Sequence, residues 1–194
     1  LCAIPSWTTG IGGFYGGGIE SDEFRELIVR WFQYGVFCPV FRLHGSRNGH
    51  DRTRDIIEPS GGDNELWSFG DRDYEILRDL VFLRERLRPY IHDQMAIASK
   101  DGVPVMRPLI FDWPEDETCT SIGDEFLFGD DILFAPIVNR GETSRRVYLP
   151  AGEWVFARDG KEYAGGQWIT CTAELNEFIA FVKKGASVLS AFQA

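Results

Sequence analysis

Two apolar runs with a helix-periodic segment between them, and no third unit of the same kind after them, constrain this chain more than any other feature. "LCAIPSW", Leu1–Trp7, has the composition of a short buried strand. "IESDEFRELIVRWFQYGVF" follows, with Phe24, Leu27, Ile28, Trp31 and Phe32 at three- and four-residue steps. Ser21 is placed to cap that helix, with Asp22 and Glu23 in its first turn, and Gly35 is placed to stop it. "FCPVFRLHG" then reads as a second strand, apolar until Arg42 and His44, as a strand covered on both faces should be. Two βα units supply only two parallel strands, and such a sheet leaves its edges unpaired. The first half is therefore expected to be part of a larger parallel sheet or barrel, the rest lying upstream. A first residue that is Leu rather than Met agrees with that expectation.

Between Ser46 and Gly70 the chain is polar and glycine-rich, longer than an ordinary connection and suggestive of a functional loop. A long helix should follow from Asp71, with Tyr74, Leu77, Leu80, Val81, Leu87, Ile91 and Met95 on one face, a kink at Pro89 and an end at Gly102. Past Val103 the pattern changes to short β-type runs separated by Gly, Pro and Asp turns, including the hairpin signal "RDGK" at Arg158–Lys161. No helix is needed there. The fold class is thus α/β followed by all-β, with residues 1–102 as the barrel-like part and 103–194 as an antiparallel β-sandwich.

The totals narrow the function. A chain of 194 residues that is 44% hydrophobic and 14% aromatic can bury a core without disulfides or metals. A net charge of -10 opposes binding to phosphate backbones or anionic membranes, and no apolar run is long enough to cross a bilayer. Cys2, Cys38, Cys119 and Cys171 are scattered without a C-x-x-C pair, so four buried thiols are expected rather than a zinc site.

The densest signal is "WTTGIGGFYGGG", Trp7–Gly18. Its glycines miss the dinucleotide spacing from either Gly10 or Gly16, and the Gly-Lys-Ser/Thr of a Walker loop is missing. In a β/α barrel the C-terminal strand ends face the active site. There Trp7, Thr8, Thr9 and Phe14 would meet Arg42 and His44, and rings beside hydroxyls, an arginine and a histidine suit a neutral polyol such as a sugar. The plainer reading makes Trp7 core, pairs Arg42 with a carboxylate and leaves His44 structural. Sugar hydrolysis with retention needs two carboxylates about 5–5.5 Å apart. Neither strand end offers one, there is no G-x-S-x-G, and His50 and His92 have no evident partners.

Taken in order, "IPSWTTGIGGF", "RELIVRWFQYGVFCPVFRLHG", "NELWSFG", "LRERLRPYIHD", "VPVMRPLIFDWPED", "GDDILFAPIV", "RRVYLPAGEWVF" and "FVKKGASVL" resemble glycoside hydrolase family 31, the retaining α-glucosidases and α-xylosidases. The resemblance runs over nearly the whole chain. It implies the last two βα units of a (β/α)8 barrel followed by a β-sandwich, an oligosaccharide as partner, no cofactor or metal, and catalytic aspartates on earlier strands. By the same resemblance His44 matches the histidine that hydrogen-bonds the sugar in the cleaved subsite. Phe14 matches an aromatic of that pocket, Arg42 an arginine beside it, and Trp7 an aromatic at the same strand end. Gly10 stands where the family usually has Asp, and "AELNEFIAFV" departs from the family's apolar, proline-containing lead into the final strands. "WTT" with "NELWSFG" looks closer to the α-xylosidase branch. Two other readings are a non-catalytic carbohydrate-binding or scaffold module, holding sugar on Trp154 and Trp168, whose plainer role is core or hairpin packing, and a folded remnant without a ligand.

Overall fold

The computed structural model describes residues 4–45, 47 and 62–193. Helix α1 spans Asp22–Val36, and the Ser21 side chain accepts from the N–H of Phe24 at 3.3 Å, as its sequence signals require. The long helix divides into α2 (Asp71–Arg86) and α3 (Arg88–Asp101) at Leu87, with Pro89 in the first turn of α3, where a missing N–H costs nothing. Gly102 closes α3 in the left-handed conformation, its N–H donating to the carbonyl of Ala98 at 3.0 Å.

The extended segments before and after α1 run parallel but form less strand than their composition suggests. Val40 N–H donates to Trp7 O, Ile11 N–H to Arg42 O and His44 N–H to Ile11 O, each at 3.0 Å, and Ile11 pairs with Leu43 in a parallel bridge. Among the described residues the pairing falls on 7–11 and 40–44, while Leu1–Ala3 of the expected first strand lie outside them. Gly10 turns the chain at φ +60°, with Gly13 N–H closing on its carbonyl, and Phe37–Val40 is occupied by the turn out of α1. Gly35 does not end α1, which continues to Val36. Its function is close approach: a Cβ there would lie 2.5 Å from Ile11 Cδ1, so the helix can press onto the parallel pair only without a side chain.

The second half holds two antiparallel sheets. The larger is built from β1 (Met106–Pro108), β2 (Phe126–Phe128), β3 (Ile132–Phe134), β5 (Glu153–Phe156), β6 (Glu162–Ala164) and β8 (Ala180–Lys183), in the order β1-β2-β3-β8-β5-β6. The smaller pairs β4 (Ser144–Leu149) with β7 (Gln167–Thr172). Asp159-Gly160 makes the β5–β6 hairpin, with Gly160 at φ +74°. One expectation fails: a short helix, α4 (Glu117–Ser121), interrupts this half, its N-terminus capped by Asp116, whose carboxylate accepts from Thr118 and Cys119 N–H.

Strands β2 and β3 are buried along their whole length because the large sheet is covered on both faces. Phe126, Phe128, Ile132, Phe134, Ala180 and Val182 join the core that contains α1, α2 and α3. The alternate residues Leu127, Leu133 and Phe181 join Val147, Leu149, Trp154 and Phe156 in the core between the sheets. Phe37, just past α1, stacks on Phe134 with centroids 4.2 Å apart and meets Phe128 and Phe178 edge-on or tilted.

Candidate functional site

The glycine-rich stretch folds as a loop whose carbonyls converge on one buried side chain, Arg47. Arg47 Nη1 donates to Gly12 O at 2.5 Å and Gly16 O at 2.6 Å, while Nη2 donates to Gly13 O and His44 O, both at 2.9 Å. Its guanidinium lies 5.2 Å from the centre of the Phe24 ring, reached from the first turn of α1. Arg47 is 1% exposed, and burial pulls its pKa down from the ordinary arginine value. Gly45 must be glycine: it has φ +99°, and a Cβ there would overlap the carbonyl of Gly13. Asn64 Nδ2 adds a hydrogen bond to Gly45 O at 3.2 Å.

On this scaffold stand three of the four residues singled out from sequence. Phe14 is 78% exposed, and its ring centre lies 5.9 Å from that of His44. Arg42 Nη2 sits 3.1 Å from His44 Nδ1. With Arg42 donating there, the ring carries its hydrogen on Nε2, which is left to donate outward. A ring face, a guanidinium and an imidazole therefore open together on one surface. Trp7 is half-exposed and packs edge-on against Tyr34 at 6.1 Å, so it belongs to the neighbouring wall instead of touching His44. Among the described residues Arg42 is held by His44, not by the carboxylate of the plainer reading. Thr9 accepts a hydrogen bond from Trp31 Nε1, which fixes the strand end to α1.

Sequence reasoning missed Arg47, because its partners are carbonyls and no side-chain pattern records them. Most of the polar connection, Ser46 and residues 48–61 with His50, lies outside the described residues, as does Cys2. Cys38, Cys119 and Cys171 are free and buried, as expected of them. His92 is exposed beside Asp93 on α3. Among the described residues no group of three or more His, Cys, Asp or Glu could hold a metal ion, and no helix is long and apolar enough to cross a membrane. Trp154 cannot be a sugar platform: it is fully buried, with Nε1 donating to Pro150 O at 2.8 Å. Trp168 is half-exposed but covered on one face by Arg146, 4.6 Å from its ring centre.

Comparison with known proteins places this geometry. Residues 1–94 match the glycosyl hydrolases family 31 TIM-barrel domain, and residues 102–188 match the glycosyl hydrolase family 31 C-terminal domain. The fold superimposes with a TM-score of 0.90 on a GH31 α-xylosidase from a soil metagenome complexed with xylose, at 45% identity, covering 98% of this chain and 29% of that one. A GH31 dextranase of Flavobacterium johnsoniae complexed with glucose gives a TM-score of 0.82 at 36% identity, over 95% of this chain and 21% of its own. The α-xylosidase of Saccharolobus solfataricus is 32% identical over 187 residues, which are 96% of this chain and 24% of its length. The chain thus spans about a quarter or less of the curated relatives it matches, the α-glucosidase 2 of Bacillus thermoamyloliquefaciens among them at 20%. With both halves matched in order, the end of a TIM barrel followed by the C-terminal β-domain, this chain belongs to glycoside hydrolase family 31.

Proposed function

We propose that this chain is the part of a retaining α-glycosidase that supplies one wall of the sugar pocket, in a protein acting on α-xylosidic or α-glucosidic bonds of oligosaccharides. The catalytic aspartates are assigned to barrel strands upstream of it. Residues 1–102 form the barrel part and 103–194 the sandwich. The observation that carries the reading is the Phe14, Arg42 and His44 cluster at the ends of two parallel segments, in a chain similar to an α-xylosidase complexed with xylose. A sugar C–H face would stack on Phe14, and His44 Nε2 would donate to a hydroxyl. Such a contact orients the sugar in the subsite, and it accelerates the reaction to the extent that it is better aligned in the transition state than in the ground state.

The test is release of nitrophenol from aryl α-xyloside and α-glucoside by the full-length protein, with the anomer of the first-formed sugar read by NMR. Retained configuration on either substrate supports the reading. Inversion, or no turnover of both, overturns it. The isolated chain is expected to be inactive on both.

A further inference from the structure

We infer that Arg47 is a positioning residue: one guanidinium bridges the loop that carries Phe14 to the loop that carries His44 and so sets the distance between them. The geometry is direct. Phe14 lies between Gly13 and Gly16, both of whose carbonyls end on Arg47, and the same side chain takes the carbonyl of His44 itself. Between these loops the parallel ladder has already ended at Ile11 and His44, and Gly45 and Gly13 are in backbone contact. Arg47 makes three hydrogen bonds to the Phe14 loop and one to His44, which precedes it by three residues in its own segment. Arg47 is almost wholly enclosed and seated on Phe24. A planar fork of donors suits a convergent set of carbonyls, whereas an ammonium cannot meet several of them at fixed directions.

The consequence for turnover rests on the function proposed above; the bridge itself does not, and the experiment separates them. In the full-length protein, Arg47→Met and the milder Arg47→Lys are compared with the unmodified protein by hydrogen exchange at residues 8–18 and 42–45. The expected result is faster exchange in both segments for either variant, with α1 and the sandwich unchanged. Equal exchange in these segments overturns the bridge. In parallel, kcat/KM on the better aryl glycoside should fall about 100-fold for Arg47→Met, as a displacement of about 1 Å can cause, and less for Arg47→Lys. Combined with His44→Ala, Arg47→Met should add little further loss if it acts through His44. Full additivity of the two losses overturns the positioning of His44 even if exchange has risen. A protein inactive on both glycosides sinks the glycosidase reading, and exchange alone then decides whether Arg47 ties the loops.

Discussion

Arg47 at the rim and Arg30 at the seam are both buried guanidiniums whose Nη groups donate chiefly to main-chain carbonyls, yet what surrounds them differs. Arg30, on α1, donates across to the carbonyls of Glu142, Ala173, Glu174 and Glu177, and Gln33 one turn later donates to Leu175 and Glu177. Around them lies a continuous apolar core: Phe37 on Phe134, Tyr34 on Phe126, and Tyr90 of α3 donating to Phe128 O. Arg84 of α2 closes the end of α1 by donating to Val36, Cys38 and Pro39 carbonyls; burial pulls its pKa down to about 10, which leaves it charged at neutral pH. At the rim, by contrast, Phe14 and Arg42 are exposed, while beneath them Arg47 ties down the backbone. The seam is held by packing to which hydrogen bonds add direction. The rim rests on a small apolar seat, Ile11 and Phe24, to which the hydrogen bonds of Arg47 are added, and the Phe14 ring above it is mostly exposed.

This contrast can be broken first at the seam. Phe37→Ala removes a fully buried ring shared by both halves and should cost about 3–5 kcal/mol of unfolding free energy. Denaturant unfolding would show it as a lower midpoint, and a loss under about 1 kcal/mol would mean that the halves are not joined by this core.

A second test uses Glu125, fully enclosed between the sheets, where both carboxylate oxygens accept from Tyr148 N–H and Arg145 approaches to 3.5 Å. Burial, the larger effect, raises its pKa to about 7 against the lowering by Tyr148 and Arg145. A folded pKa above the unfolded value means that the protonated form stabilises the fold. That contribution, up to about 3 kcal/mol, is complete below about pH 4.5 and is lost as pH rises through about 7. Measured between those limits, unfolding free energy should fall with pH, and Glu125→Gln should flatten the slope. An unchanged slope in the variant assigns the titration elsewhere.

At the rim the effects should be smaller and of another kind. His44→Ala should lower transition-state binding by about 1.5–3 kcal/mol, read as kcat/KM of the full-length protein. Smallest of all, Phe14→Ala should change unfolding free energy by less than about 0.5 kcal/mol, because the ring is mostly in water already. It should still weaken sugar binding in calorimetry. A Phe14 variant that destabilises strongly would erase the distinction between rim and seam.

Where local chemistry dictates the outcome, the sequence was readable. Ser21 before an acidic turn, Pro89 in a long helix, Gly102 after the last apolar step and Asp159-Gly160 between β-type runs each act within a few residues, and each does in the structure what its chemistry requires. Gly35 misled because its reason is Ile11, twenty-four residues away, and not the end of the helix it sits in. Phe14, Arg42 and His44 were singled out through a family resemblance and barrel geometry; periodicity alone left them undecided against a structural reading. Arg47 and Arg30 were invisible, since a carbonyl belongs to every residue. The "AELNEFIAFV" departure becomes intelligible in the same terms: Arg30 and Gln33 grip the backbone of residues 173–177, so the side chains there can change without loosening the grip.

The centre of the large sheet, covered on both sides, also limits how this architecture can be recombined. Its two sets of alternating residues answer to different masters, the helices of the barrel on one side and the β4–β7 ribbon on the other. Grafting the β-domain of one relative onto the barrel of another would set foreign rings against Phe37 and Tyr34. A chimera should therefore inherit α1 together with the strands that receive it, and a crossover placed at the helix-to-strand junction near Gly102 would separate surfaces shaped for each other.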